Sequence, residues 1–184
     1  MPIRLNIGCG PLPLHDQHKK LMDQYGDGWI LVDKYVKDPA IVDYDAANLP
    51  FEAGSVDTIY CSHLLEHIPF GEVPNLVRHW HDLLTSGGEL VINVPDFEWV
   101  CEVFMGRTVP QTNYYKASLE FTDPVHNLQA IIYGNQDHEG EYHKSAYDEH
   151  SLYKLLDQMG FETINIERVY EAHDMGCLLA KAVK

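Results

Sequence analysis

A short apolar run that breaks into glycines, Leu5-Asn6-Ile7-Gly8-Cys9-Gly10, constrains this chain more than any other stretch. It predicts a buried first strand from Ile3 to Ile7. Gly8-Cys9-Gly10 then forms a sharp turn at the strand's carboxyl end, where the polar atoms of a ligand can approach bare backbone. A dinucleotide fingerprint, G-x-G-x-x-G, needs a third glycine so that the next helix can come close and aim its N-terminus at a pyrophosphate. Pro13 stands at that position, so the fingerprint fails. Asp33 follows the glycines by about 20 to 25 residues, the separation expected of an acid that accepts hydrogen bonds from ribose hydroxyls. Together these features point to a nucleoside ligand without a pyrophosphate.

The rest of the chain supplies a sheet for that turn. Pro11 and Pro13 delay the next helix to about His15 to Tyr25, and Gly26-Asp27-Gly28 ends it. Trp29 to Asp33 is a continuous apolar run closed by an acid, which suits a strand buried on both faces. Ala40 to Asp45 reads as a third strand and Val56 to Cys61 as a fourth. Ser62 to Ile68 has helical apolar spacing. Val73, Leu76, Val77, Trp80, Leu83 and Leu84 recur at the three-and-four spacing of an amphipathic helix. Ser86-Gly87-Gly88 is expected to end that helix through a left-handed cap and lead into a fifth strand, Glu89 to Val94. Phe97 to Met105 is a further helix candidate, and Tyr114 to Tyr133 contains another helical stretch. Gly134 to Lys144 reads as a polar loop. Ala146 to Met159 is an amphipathic helix closed by Gly160, and Phe161 to Tyr170 with Gly176 to Val183 form a hairpin turning near Asp174.

Alternating strands and helices predict an α/β fold with a mainly parallel sheet and helices on both faces. In such sheets ligands sit at the carboxyl ends of the strands. The glycine turn, Asp33, Asp45, Ser62 and Asp96 all fall at those ends.

Composition narrows the function classes. The 184 residues fit one domain, and no apolar run reaches the roughly 18 to 20 residues of a membrane span. With the first strand starting by Ile3 there is no room for a leader, which gives the expectation of a cytoplasmic protein. There are 28 acidic residues against 13 Lys plus Arg, for a formal charge of -15, and the scattered bases disfavour a nucleic-acid partner. Cys9, Cys61, Cys101 and Cys177 lie far apart without a C-x-x-C pair, as expected of reduced thiols and not of a cysteine-based zinc site.

The motifs, in order, are Leu5-Asn6-Ile7-Gly8-Cys9-Gly10, Val32-Asp33, Asp45-Ala46-Ala47-Asn48-Leu49-Pro50-Phe51, Ser55-Val56-Asp57, Leu65-Glu66-His67 and Leu84-Thr85-Ser86-Gly87-Gly88-Glu89-Leu90. Over Leu5 to about Asp96 and again over Tyr147 to Lys184, the chain resembles the class I S-adenosylmethionine-dependent methyltransferases, in the branch acting mostly on small molecules. The resemblance implies a Rossmann-like three-layer sandwich. Its sheet would be seven-stranded and mainly parallel, in the order 3-2-1-4-5-7-6, with the last strand antiparallel. It further implies that Gly8, Cys9 and Gly10 leave backbone room for the methionine part of the cofactor and that Asp33 binds the ribose. Asp45 with the Ala46 backbone would hold the adenine, and Ser62, His63 and Leu64 would line the pocket under the sulfonium. Asn6 stands where the family commonly has an acid that helps hold the methionine ammonium; an amide oxygen can still accept a hydrogen bond.

His63-Leu64-Leu65-Glu66-His67 also matches H-x-x-E-H, a zinc-protease signature with two histidines on one helix face. It follows a strand of a parallel sheet, so the context is wrong. The resemblance to methyltransferases implies, as the lesser reading, a divalent-metal use of Glu66 and His67 with a third and fourth ligand from His126, His138 or His143; no metal is expected.

For catalysis, a hydroxyl acceptor would benefit from a histidine base. His67, after the fourth strand, and His143, in the segment capping the pocket, are the candidates. Residues 96–146 are expected to form an acceptor-side insertion, with Tyr114, Tyr115, Tyr142 and Tyr147 as lining aromatics. The expected activity is methyl transfer from S-adenosylmethionine to an oxygen of a small molecule, a sugar or secondary-metabolite hydroxyl. The alternatives are a non-catalytic partner subunit that binds the cofactor and a nicotinamide-dependent sugar-modifying enzyme. The partner is a small-molecule acceptor, with no membrane partner and a homodimer left open.

Overall fold

The structure is a computed structural model that describes residues 2–13, 16–108, 129, 131–134, 136, 139–170 and 175–184. The elements are β1 (Arg4–Ile7), α1 (Asp16–Tyr25), β2 (Trp29–Val32), β3 (Val56–Ser62), a 3₁₀ turn (Leu65–His67), α2 (Val73–Leu83), β4 (Leu84–Pro95), α3 (Phe97–Phe104), a second 3₁₀ turn (Glu139–Glu141), α4 (Glu149–Met159), β5 (Thr163–Tyr170) and β6 (Gly176–Val183). Tyr114, Tyr115, His126, His138 and Asp174 lie outside the described residues.

One six-stranded sheet runs in the order β2-β1-β3-β4-β6-β5. β1 pairs in parallel with β2 and β3, and β3 with β4; β6 inserts antiparallel between β4 and β5. This is the expected Rossmann-like order with one strand fewer. The expected third strand is reduced to a single parallel bridge, Val32 to Val42. The amide of Tyr44 bonds back to the Val42 carbonyl two residues earlier at 3.0 Å, which bends the chain away before a ladder can extend. β2 is therefore the sheet's edge, and Trp29, Ile30 and Leu31 are only half-buried rather than covered on both faces.

Alternation along the central strands separates two apolar layers. Ile59 and Cys61 of β3, with Leu90, Ile92 and Val94 of β4, face the cluster completed by α2 and α4. Tyr60 and Val91 face the opposite side, where Met22 of α1 and Ile41 cover them. Trp99, Val100 and Val103 of α3 extend that second layer over Cys177 of β6.

Helix boundaries follow local chemistry. α2 buries Val73, Leu76, Val77, Trp80 and Leu83, the stripe its spacing predicts. Its end differs from expectation: Leu84 is already extended (φ -65°, ψ 141°), so the helix stops without a left-handed cap. The positive φ of Gly87, 79°, instead serves an irregularity inside β4, where the pairing with β3 jumps from Val56–Leu84 to Thr58–Glu89. α4 starts at Glu149 rather than Ala146 because Asp148 and Ser151 form a capping box, and Gly160 closes it at φ 97°. The helix expected over Ser62–Ile68 is only the 3₁₀ turn Leu65–His67, since Pro69 removes the donor that would continue it. No helix among the described residues is long and apolar enough to cross a membrane.

Candidate active site

The carboxyl ends of β1, β2 and β3 open into a cavity of about 960 Å³. Gly8 and Gly10 line it, as do Asp33, Asp45, Ala46, His63 and His67 from the expected set. The glycine turn is held by the amides of Gly8 and Cys9, which donate to the Val32 carbonyl at 2.8 and 3.2 Å. Both glycines have φ near 70°, a left-handed conformation that side-chain-bearing residues enter at a cost. A Cβ at Gly8 would lie 3.0 Å from the Cβ of Leu64, whereas one at Gly10 would meet nothing within 4 Å. Bare backbone therefore borders open space at Gly10.

Asp33 does structural work in this turn. Its Oδ2 accepts from the Gly10 amide at 3.0 Å, and its Oδ1 accepts from Tyr35 and Val36 at 2.8 and 3.0 Å. A carboxylate has about four acceptor positions, so roughly one remains for a ligand hydroxyl. Asp45 accepts from the Ala47 amide at 3.0 Å and pairs with Lys34 at 2.7 Å. The Lys34 ammonium, ahead of the Ala47 amide, holds the Asp45 carboxyl below the usual carboxylate range. Trp80, fully buried in α2, donates its indole N–H to the Ala46 carbonyl at 2.9 Å and fastens this wall to the core.

Of the expected cofactor-binding residues, Asn6, Cys9 and Ser62 do not line the cavity. Asn6 is 1% exposed, its Nδ2 lies 3.3 Å from the Met22 sulfur, and its Oδ1 has no partner among the described residues. Cys9 faces the Tyr60 and Val91 layer; burial first, and then the Asp33 charge, push its thiol up to about 12. Ser62 is buried and accepts a long hydrogen bond from Asn93. Asp96, at the end of β4, caps α3 through the Glu98 amide and pairs with Arg168, so its role is structural.

The opposite wall is assembled from two distant segments. His63 has φ 50°, and its Nδ1 meets Glu66 Oε1 at 3.1 Å. Glu66 is 2% exposed. Burial acts to raise its carboxyl, but the hydrogen bond and charge of His63, with His67 adding, outweigh that and hold it below the usual range. The amides of Lys144 and Ser145 donate to the Glu66 carbonyl at 2.7 and 3.1 Å, and Ser145 Oγ donates to the Leu65 carbonyl at 2.9 Å. These bonds lay residues 143–147 across the 3₁₀ turn and bring the His143 ring to 4.7 Å from that of His67, edge to face. His143 lines a second, small cavity with Glu66 and Tyr147 behind the main one, and burial lowers its imidazole. Tyr142 is half-exposed at the surface, and Tyr147 is buried in the main apolar cluster.

The sequence reading missed Lys34, Glu72, Asn75, Gly140, Glu141 and Lys144, which also line the main cavity. Only Lys34, next to Asp33, carried a local signal. The others reach the cavity through tertiary contacts.

A mainly parallel sheet of this order, with a glycine turn and the acids Asp33 and Asp45 around one cavity, agrees with the fold of the class I S-adenosylmethionine-dependent methyltransferases. A family profile described as a methyltransferase domain matches residues 5–166, and the chain belongs to that family. Solved structures agree in fold. An N1-methyltransferase acting on 1,6-didemethyltoxoflavin from Burkholderia thailandensis, bound to that compound and S-adenosylhomocysteine, superposes with a TM-score of 0.64 at 17% identity, covering 100% of this chain and 71% of the other. An S-adenosylmethionine-dependent methyltransferase from Archaeoglobus fulgidus gives 0.63 at 16%, covering 100% and 86%. Magnesium protoporphyrin IX methyltransferase from Synechocystis, with bound S-adenosylhomocysteine, gives 0.58 at 16%, covering 100% and 74%. Comparison with curated proteins finds no match.

Proposed function

We propose that the cavity binds S-adenosylmethionine against the Gly8–Gly10 turn and a small hydroxyl-bearing acceptor against the histidine wall. The observation that carries this reading is that a nucleoside-type end and a histidine end share one 960 Å³ volume. The donor set fits the cofactor. The open side of Gly10 suits the methionine part, the remaining acceptor position of Asp33 suits one ribose hydroxyl, and the Asp45–Ala47 segment suits the adenine edge. S-adenosylmethionine, when bound, supplies an already activated methyl on a sulfonium.

The protein's part is alignment and proton handling. With the cofactor bound, the methyl would leave sulfur for the acceptor oxygen, and the acceptor hydroxyl would have to give up its proton. His63 and His67, the histidines lining the cavity, are the groups to receive it. His143 stands behind them and acts through their wall. Gly140, Glu141 and Lys144 close the same cavity, which supports an acceptor-side role for the 96–146 insertion within a single domain.

Calorimetric titration with S-adenosylhomocysteine, S-adenosylmethionine and NAD tests the reading. Binding of the first two but not the third is expected, with turnover on a panel of sugar and phenolic hydroxyl compounds. Binding of NAD alone would overturn the assignment, and cofactor binding without turnover would favour a partner subunit.

A further inference from the structure

We propose that Glu66, His67 and His143 form a three-ligand site for a divalent transition-metal ion, set in the wall between the two cavities. One ligand atom from each residue lies within 4.8 Å of the others, so small side-chain movements would close them on a single ion. Three features of this wall point to a ligand independently of that proximity.

The first is the carboxylate. Glu66 Oε1 is held by His63, but Oε2 is buried and has no hydrogen-bond partner among the described residues. An unpartnered buried carboxylate oxygen is costly, and a cation is the partner that would satisfy it. The second is the tautomer of each ring. His67 Nδ1 lies 3.3 Å from the Tyr142 carbonyl and His143 Nδ1 lies 2.7 Å from the Ile131 carbonyl. A carbonyl oxygen only accepts, so in both rings Nδ1 carries the hydrogen and Nε2 presents its lone pair. Backbone carbonyls that fix a ring this way are the usual outer support of a metal-bound histidine. The third is access: His67 also lines the main cavity, which leaves coordination positions open on the side where a small molecule would bind.

Two imidazoles and one carboxylate suit zinc and its first-row neighbours, and three protein ligands with an open position are the pattern of reactive rather than structural sites. The set differs from the pair that H-x-x-E-H would use. His63 and His67 do not share a helix face here, because the segment is a single 3₁₀ turn and His63 spends its Nδ1 on Glu66. With an ion present His67 is a ligand, and His63 remains as the base facing the cavity.

The test uses metal alone. Chelator-treated protein is titrated with Co²⁺, following its visible d–d absorption, and then with Zn²⁺ as competitor. One bound equivalent with tetrahedral or five-coordinate bands is expected, displaced by Zn²⁺. His67→Ala and His143→Ala should each weaken it by at least about tenfold, while the exposed His150→Ala should leave it unchanged. Glu66→Gln should abolish it. Because Glu66 is buried, the thermal midpoint in chelator checks that variant's folding, and the two histidine variants decide the matter if it fails to fold. Absence of a stoichiometric equivalent, or binding indifferent to both histidine substitutions, would overturn the proposal. The cofactor titration reads the methyltransferase assignment separately.

Discussion

The two walls of the main cavity are built in opposite ways. The glycine wall is local: Gly8, Gly10 and Asp33 lie on neighbouring strand ends, and the carboxylate joins both turns directly through backbone amides. The histidine wall is assembled: His143 reaches His67 only because the amides of residues 144 and 145 bond to Glu66 and a serine bonds to Leu65. A local wall tolerates change elsewhere in the chain. An assembled wall depends on the register of segments about eighty residues apart.

That difference can be broken from below, and the largest effect is expected at Trp80. This fully buried indole sits in the main apolar cluster and bonds to the Ala46 carbonyl of the cavity wall. Trp80→Ala should cost about 3–5 kcal/mol, read as a fall in the denaturant midpoint. If locality is the right distinction, residual cofactor affinity in the folded fraction will survive better than the His67–His143 ring contact, followed by imidazole NMR shifts.

Gly8→Ala should come next and strike the glycine wall alone. It forces a left-handed residue, at about 1–2 kcal/mol, and drives its Cβ against Leu64 at 3.0 Å. Gly10→Ala carries the strain without the contact, so its loss of stability should be the smaller of the two by thermal denaturation. Equal losses would mean that Leu64 yields freely.

The smallest effect is expected at Asp148, which caps the helix just after the histidine-wall segment. Its hydrogen bond from the Ser151 hydroxyl, ahead of that from the Ser151 amide, holds its carboxyl below the ordinary range. A depressed carboxyl stabilises the fold above its unfolded value, near 3.9, and loses that contribution as pH falls through the lower folded value. Asp148→Ala should therefore cost about 1 kcal/mol at pH 5 to 7, and the gap from the unsubstituted protein should close toward pH 2 to 3. A gap unchanged across that range in urea titrations would assign the effect to helix propensity instead.

Much of this architecture was legible residue by residue. Leu5–Gly10 announced its strand and turn because a left-handed turn needs glycine wherever it occurs. The stripe of α2 and the closing Gly160 of α4 were readable because helix faces and caps are properties of a few adjacent residues. Pro13 and the spacing to Asp33 indicated a nucleoside, and the family match agrees with that class.

What the chain alone did not decide were outcomes settled by competing hydrogen bonds. Ala40–Asp45 has the composition of a strand, yet one amide turning back to Val42 ends its pairing, and no local pattern registers that choice. Ser62–Ile68 has helical spacing but is cut to one 3₁₀ turn: Pro69 removes the next donor, and the Leu65 and Glu66 carbonyls are taken by residues 144, 145 and 147 from across the chain. The sequence determined the glycine wall because its geometry is intrinsic to the residues in it. The histidine wall exists only in the folded protein, because its geometry is a set of distances between groups that are remote until the sheet brings them together.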